Sequence, residues 1–116
     1  MKRIYDWDAG FSLRNYTASD LRELKGIRKL VQTTANTTEE AAAAKDAGAF
    51  SVEAEVICDR VMAEISARTS LITSSLGSGA SADIIYLFQN DICGEQPESP
   101  RHARAFGDLN SLYEQI

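Results

Sequence analysis

The feature that most constrains this chain is an alternation. Four runs of strand length, rich in apolar and β-branched residues, are separated by stretches that carry helix signals: RKLVQTT over 28–34, FSVEAEV over 50–56, SLITSS over 70–75 and IIYLF over 84–88. Strands alternating with helices of this length predict βα units and parallel pairing. The last run is short and continuous enough to be a buried strand.

The helix signals are specific in places. Thr17 followed by Asp20 has the spacing of a capping box, with Asp in place of the usual Glu, and opens a short helix through Leu21, Leu24 and Lys25 that stops at Gly26. Asn36, Thr37 and Thr38 start a second helix, with Glu39 and Glu40 near the positive end of its dipole and Gly48 closing AAAAKDAG. Asp59 to Arg68, with Val61, Met62 and Ile65 on one face, is a third. Residues 1–16 read as an irregular lead-in whose aromatics (Tyr5, Trp7, Phe11, Tyr16) pack onto the body. Pro97 and Pro100 mark a loop, after which 101–116 reads as helical, interrupted near Gly107. The expected organisation is a lead-in and short helix over 1–27, an α/β body over 28–96 and a helical segment over 97–116, all in one domain.

In 116 residues one ordinary core is feasible, since a chain of this size buries roughly two-thirds of its unfolded surface. Seventeen acids against twelve bases give a net charge of −5 with the bases dispersed, which argues against nucleic acid, whose binding needs clustered cations. Cys58 and Cys93 show neither CxxC spacing nor histidine neighbours, so they read as plain thiols in a reducing compartment. No stretch approaches the ~18 apolar residues of a membrane span, and Asp6 and Asp8 interrupt the N-terminus where a secretory signal needs its apolar run. The expectation is a cytoplasmic protein with no membrane partner.

Two blocks resemble the ketopantoate hydroxymethyltransferase family, within the phosphoenolpyruvate mutase and isocitrate lyase barrel superfamily. LRELKGIRKLVQTTANTTEEAAAAKDAG is similar to that family's N-terminal helix, first barrel strand and first helix, with Thr34, Ala35, Ala41, Ala47 and Gly48 in register. AGAFSVEAEVICDRVMAEISARTSLITSSLGSGASADIIYLFQNDICGE is similar to its sixth to eighth strands, matching at Gly48 to Phe50, Glu55, Gly77 and Gly79, and Asp91 to Gly94. No single motif is specific; their order and spacing carry the resemblance. It implies a partial, half TIM-type (β/α) barrel of parallel strands and alternating helices. The family's segment between the first helix and sixth strand is missing, the join falling at Ala47-Gly48 as an internal deletion would leave it. On this resemblance the family's C-terminal portion is also expected to be cut short at Ile116.

The implied activity is transfer of a hydroxymethyl group from 5,10-methylenetetrahydrofolate to 3-methyl-2-oxobutanoate, with Mg²⁺, in pantothenate synthesis. Glu55 matches the family's general base, which takes a proton from the carbon next to the ketone; a carboxylate suits this when burial raises its pKa, and a strand's C-terminal end is where barrels place catalysis. Glu53, on the same strand face, reads as a barrel-interior or solvent acid. Gly77, Ser78 and Gly79 are the substrate-binding candidates, because such a turn can present backbone N–H groups to an anion; the plainer alternative is a sharp turn after a buried strand. The missing segment is where the family keeps its metal aspartates and a lysine that grips the keto acid, and no Gly-Asp-Ser strand end occurs here. No metal ligand is therefore assigned. Asp83 and Asp91 read as caps rather than substitute ligands, Asp6, Trp7 and Asp8 as a surface cluster, and His102 as solvated. Whether the chain catalyses is left open: the expectation is an impaired transferase, the alternatives a non-catalytic barrel remnant or assembly module, or a carbon–carbon lyase. Four strands are half of the eight that close this barrel, so homo-oligomerisation is expected, and a small keto acid is the only other partner implied.

Overall fold

The computed structural model describes residues 1–4 and 12–116. It divides into two compact units, Met1–Ile85 and Tyr86–Ile116.

The first unit is built on a parallel sheet of β3 (Gln32–Thr34), β4 (Ser51–Glu55), β5 (Ile72–Leu76) and β6 (Ile84–Ile85), so each strand lies beside its neighbour in sequence. Helix α2 (Thr38–Asp46) connects β3 to β4, and α3 (Asp59–Arg68) connects β4 to β5. This is the expected α/β alternation, in a partial form: β3 and β6 are edges that do not pair with each other, and the sheet does not close into a barrel.

Sequence dictates the helices locally. Around α1 (Ala18–Leu24) the Thr17 hydroxyl accepts the Asp20 N–H, and the Asp20 carboxylate accepts the Thr17 N–H at 2.6 Å, completing the reciprocal box. Thr37 caps α2 by accepting the Glu40 N–H at 3.2 Å, while the Glu40 carboxylate reaches back to the Asn36 N–H. Gly48 ends this helical segment at φ +88°, a backbone that glycine adopts without penalty.

The core lies between the helices and one face of the sheet. Ala41 and Ala44 of α2 and Met62 and Ile65 of α3 are buried with Ala35, Ala49, Val52, Ala54 and Leu71. Small side chains let α2 approach β4 closely, and the larger Met62 and Ile65 each contribute about 1.5–3 kcal/mol by leaving water.

Before the sheet, β1 (Lys2–Ile4) and β2 (Ser12–Arg14) form an antiparallel pair. The Arg14 side chain is buried: Nε donates to Asp83 Oδ2 at 2.6 Å, and the rest of the guanidinium donates to the Leu13, Ser66 and Thr69 carbonyls and the Ser66 hydroxyl. The Asn15 N–H adds a bond to the Ser70 carbonyl, and Tyr16 packs edge-on to Phe50. Tyr5, Trp7 and Phe11, expected to pack with Tyr16, lie outside the described residues.

Two expectations are corrected. The run IIYLF is not a buried strand: only Ile84 and Ile85 pair, 49% and 55% exposed, because β6 has a neighbour on one side alone, and Phe88 already stands at the N-terminus of α4 (Gln89–Cys93). In the second unit the helix expected over 101–116 is confined to α5 (Leu109–Glu114), where the Asp108 carboxylate accepts the Ser111 N–H and starts the helix afresh after Gly107. Helix α4 ends at Gly94, φ +67°, whose carbonyl accepts the Asn110 N–H. Among the described residues no helix is long and apolar enough to cross a membrane.

Candidate functional site

Glu55 is the last residue of β4, an interior strand, in register with Leu76 of β5, and it is exposed. Strand alternation puts Glu53 on the same face; that side chain is half-buried and accepts a hydrogen bond from Gln32 Nε2 at 3.0 Å. Thus β4 ends in a carboxylate at the mouth of the parallel sheet, where α/β folds place their chemistry.

The backbone turns sharply immediately afterwards. Val56 has φ +52°, a left-handed conformation rare for a β-branched residue, and its N–H donates to the Leu76 carbonyl at 2.8 Å. The next βα turn, Gly77-Ser78-Gly79, lies alongside. Ser78 is wholly buried; its N–H donates to Ser75 Oγ, and its own hydroxyl donates to the Ala54 carbonyl at 3.0 Å and accepts the Ile57 N–H at 3.1 Å. The Ser75 hydroxyl in turn donates to the Gly79 carbonyl at 2.9 Å. Gly77 and Gly79 stand at φ +66° and +91°, half-buried and exposed. Only glycine suits the second, since a Cβ there would stand 2.8 Å from Asp59 Cβ. The structure therefore brings Glu55 and the glycine turn together on neighbouring strand ends.

The other candidates are dispersed. Asp83 is no cap: its carboxylate takes the Thr73 N–H, the Thr73 hydroxyl and the Arg14 guanidinium, and ties β5 to the N-terminal pair. Asp91 lies in the first turn of α4, and His102 sits half-buried in a turn, both in the second unit. Cys58 is exposed at the start of α3, Cys93 is half-buried, and both are free thiols. Asp6, Trp7 and Asp8 lie outside the described residues. Among those described, no three His, Cys, Asp or Glu side chains are grouped to hold a metal ion.

Carboxylates held below their ordinary range sit at helix starts. The Lys2 ammonium, then the Thr17 hydroxyl and N–H, bring Asp20 to about 2. Glu39 is lowered by its own backbone N–H and by the Thr38 and Thr37 hydroxyls, and Asp108 by the Ser111 side chain and backbone.

Sequence reasoning missed Arg14 and Val56. Arg14 reads as one more dispersed base, and Val56 sits in a run of strand formers, where nothing announces a left-handed turn.

Comparison with known proteins bears on this site. Residues 17–115 match the family described as ketopantoate hydroxymethyltransferase. The 3-methyl-2-oxobutanoate hydroxymethyltransferase of Chlorobium luteolum is 41% identical over 78 residues, covering 66% of this chain and 28% of that protein. Its counterpart from Hyperthermus butylicus is 34% identical over 103 residues, 89% of this chain and 31% of the relative. That from Carboxydothermus hydrogenoformans is 30% identical over 92 residues, 78% and 31%. The chain thus spans less than a third of the length of these curated relatives.

Proposed function

The chain belongs to the ketopantoate hydroxymethyltransferase family, and from that premise we propose that it carries the base of a hydroxymethyl transfer, Glu55, in a form impaired as this chain alone. The observation that supports this most is the position of Glu55 at the C-terminal end of an interior parallel strand, beside a glycine turn, although its carboxylate is exposed and not buried as the base role would favour. The proposed substrate is a small keto acid, 3-methyl-2-oxobutanoate. Glu55 takes the proton from the carbon beside its ketone, a role that typically contributes about 10²–10⁴-fold. The backbone N–H groups of Gly77 and Gly79 are the proposed contacts for the substrate's carboxylate, with Ser78 holding the turn.

5,10-Methylenetetrahydrofolate supplies the one-carbon unit in this reading, with Mg²⁺ as the family's electrostatic partner, in a cytoplasmic step of pantothenate synthesis. The described residues offer no cluster of metal ligands, and the proposal routes no step through the ion. Without such stabilisation of the developing charge, several kcal/mol of barrier reduction are lost. The purified chain, given Mg²⁺, methylenetetrahydrofolate and 3-methyl-2-oxobutanoate, is expected to make little or no ketopantoate. A turnover of ~1 s⁻¹ or above, the ordinary enzyme range, that Glu55→Gln abolishes would overturn the impairment and keep the base.

A second reading, a non-catalytic barrel module that assembles with its own copies, is favoured by the two edge strands, which pair on one side alone among the described residues. Parallel sheets are ordinarily covered and edge strands invite pairing; here β3 and β6 are both edges, with Gln32–Thr34, Ile84 and Ile85 exposed. No response of Glu55 to the keto acid, together with self-association, would select this reading.

A further inference from the structure

We infer that Ser78 is a positioning residue: its hydroxyl clamps the backbone on both sides of Glu55 and Val56 and so fixes where β4 presents the Glu55 carboxylate. This rests on the reading of Glu55 as the base. In a tight turn of four residues the first carbonyl ordinarily accepts the fourth N–H directly, and residues 54–57 bend at Val56. Here the Ser78 oxygen stands between them, accepting from Ile57 and donating to the Ala54 carbonyl at 3.0 Å, nearer than the Leu76 carbonyl at 3.4 Å. A hydroxyl has one donor and two acceptor sites, so one side chain satisfies both backbone groups. Ser78 has no exposed surface, and no bulk water can take its place.

What the clamp holds is a backbone that would otherwise relax. Val56 occupies the third position of this turn at φ +52°, a place that favours glycine and that a valine keeps only when its surroundings over-determine it. Three contacts do so: Ala54 C=O and Ile57 N–H on Ser78, and Val56 N–H on the Leu76 carbonyl. Ser78 is itself held, its N–H on Ser75 Oγ and the Ser75 hydroxyl on the Gly79 carbonyl. The buried hydroxyls thus couple the turn after β5, the proposed substrate cradle, to the end of β4 that carries the base.

The test is solution NMR on the full chain with Ser78→Ala, which removes the oxygen and little volume. Exchange of the Ile57 amide should accelerate roughly tenfold or more relative to the Val52 amide, as expected for loss of a buried partner. The Val56 three-bond HN–Hα coupling and Cα shift should leave left-handed values. Shift changes at Glu55 on titration with 3-methyl-2-oxobutanoate should weaken. Adding Val56→Gly, which adopts positive φ without the steric cost a valine bears, should restore part of the Glu55 response without restoring the hydroxyl, a rescue that a merely structural serine would not show. Val56→Gly alone should leave the Ile57 amide protected, and that measurement does not depend on Ser78→Ala folding. Unchanged Ile57 exchange and Val56 coupling in Ser78→Ala, or loss of Ile57 protection in Val56→Gly, overturns the clamp. Loss of the clamp with no keto-acid response at Glu55 in the parent chain overturns the reading of Glu55 while leaving the clamp supported.

Discussion

Replacing Arg14 by methionine removes the most heavily bonded buried charge described in this fold while keeping an apolar stem. Arg14 is 2% exposed, and its partner Asp83 has 12% of its side chain exposed, 2.6 Å from Nε. Removing one member of a buried pair costs about 3–5 kcal/mol, and each buried acceptor left without a donor about 1–3 kcal/mol. Asp83 keeps the Thr73 N–H at 2.8 Å and the Thr73 hydroxyl at 2.9 Å, so its charge is not stranded. The Ser66 and Thr69 carbonyls do lose the guanidinium. The lower end of the range applies, about 3 kcal/mol, a large share of a stability of about 5–15 kcal/mol. With a urea slope of about 1–3 kcal/mol per molar, the unfolding midpoint should fall by about 1–3 M. Asp83→Asn and the double variant complete a cycle whose non-additivity should fall within about 0.5–3 kcal/mol. A cost below about 1 kcal/mol for Arg14→Met, or additive single effects, would refute the clasp.

Gly79→Ala should cost more than Gly48→Ala in the same unfolding assay: both stand near φ +90°, but Gly48 has open space around it whereas Gly79 has Asp59 Cβ at 2.8 Å. Left-handed backbone alone accounts for about 1–2 kcal/mol, and equal losses would show that the contact relaxes freely. For Asp20 the folded carboxyl titrates at about 2 against an ordinary 3.8, so its contribution is complete above about pH 4 and is lost as pH falls towards 2. Thr17 and Asp20 amide shifts should follow that window, and Lys2→Ala should move the Asp20 titration upward; no movement removes Lys2 as the main cause. Sedimentation equilibrium over a wide dilution series should show concentration-dependent association through the open edges, and a folded monomer throughout would defeat the second reading.

The sequence by itself determined what neighbours along the chain can settle. The Thr17–Asp20 box and the helix over Asp59–Arg68 are legible because caps and helical faces are contacts between residues three or four apart. The parallel alternation follows from the same local signals, whereas Glu55 is placed at a strand end by the family resemblance, the apolar run itself going on to Val56 while the strand stops one residue earlier. Tertiary structure decided the rest. Arg14 meets Asp83 across 69 residues, a separation at which composition cannot tell a solvated base from a buried one. IIYLF looks buried by its apolarity, yet Ile84 and Ile85 lie exposed, since burial depends on what covers a strand and β6 is an edge. Val56 holds a left-handed turn against its own preference because the Ser78 hydroxyl and the Leu76 carbonyl, brought alongside by strand pairing, supply bonds that its own segment lacks.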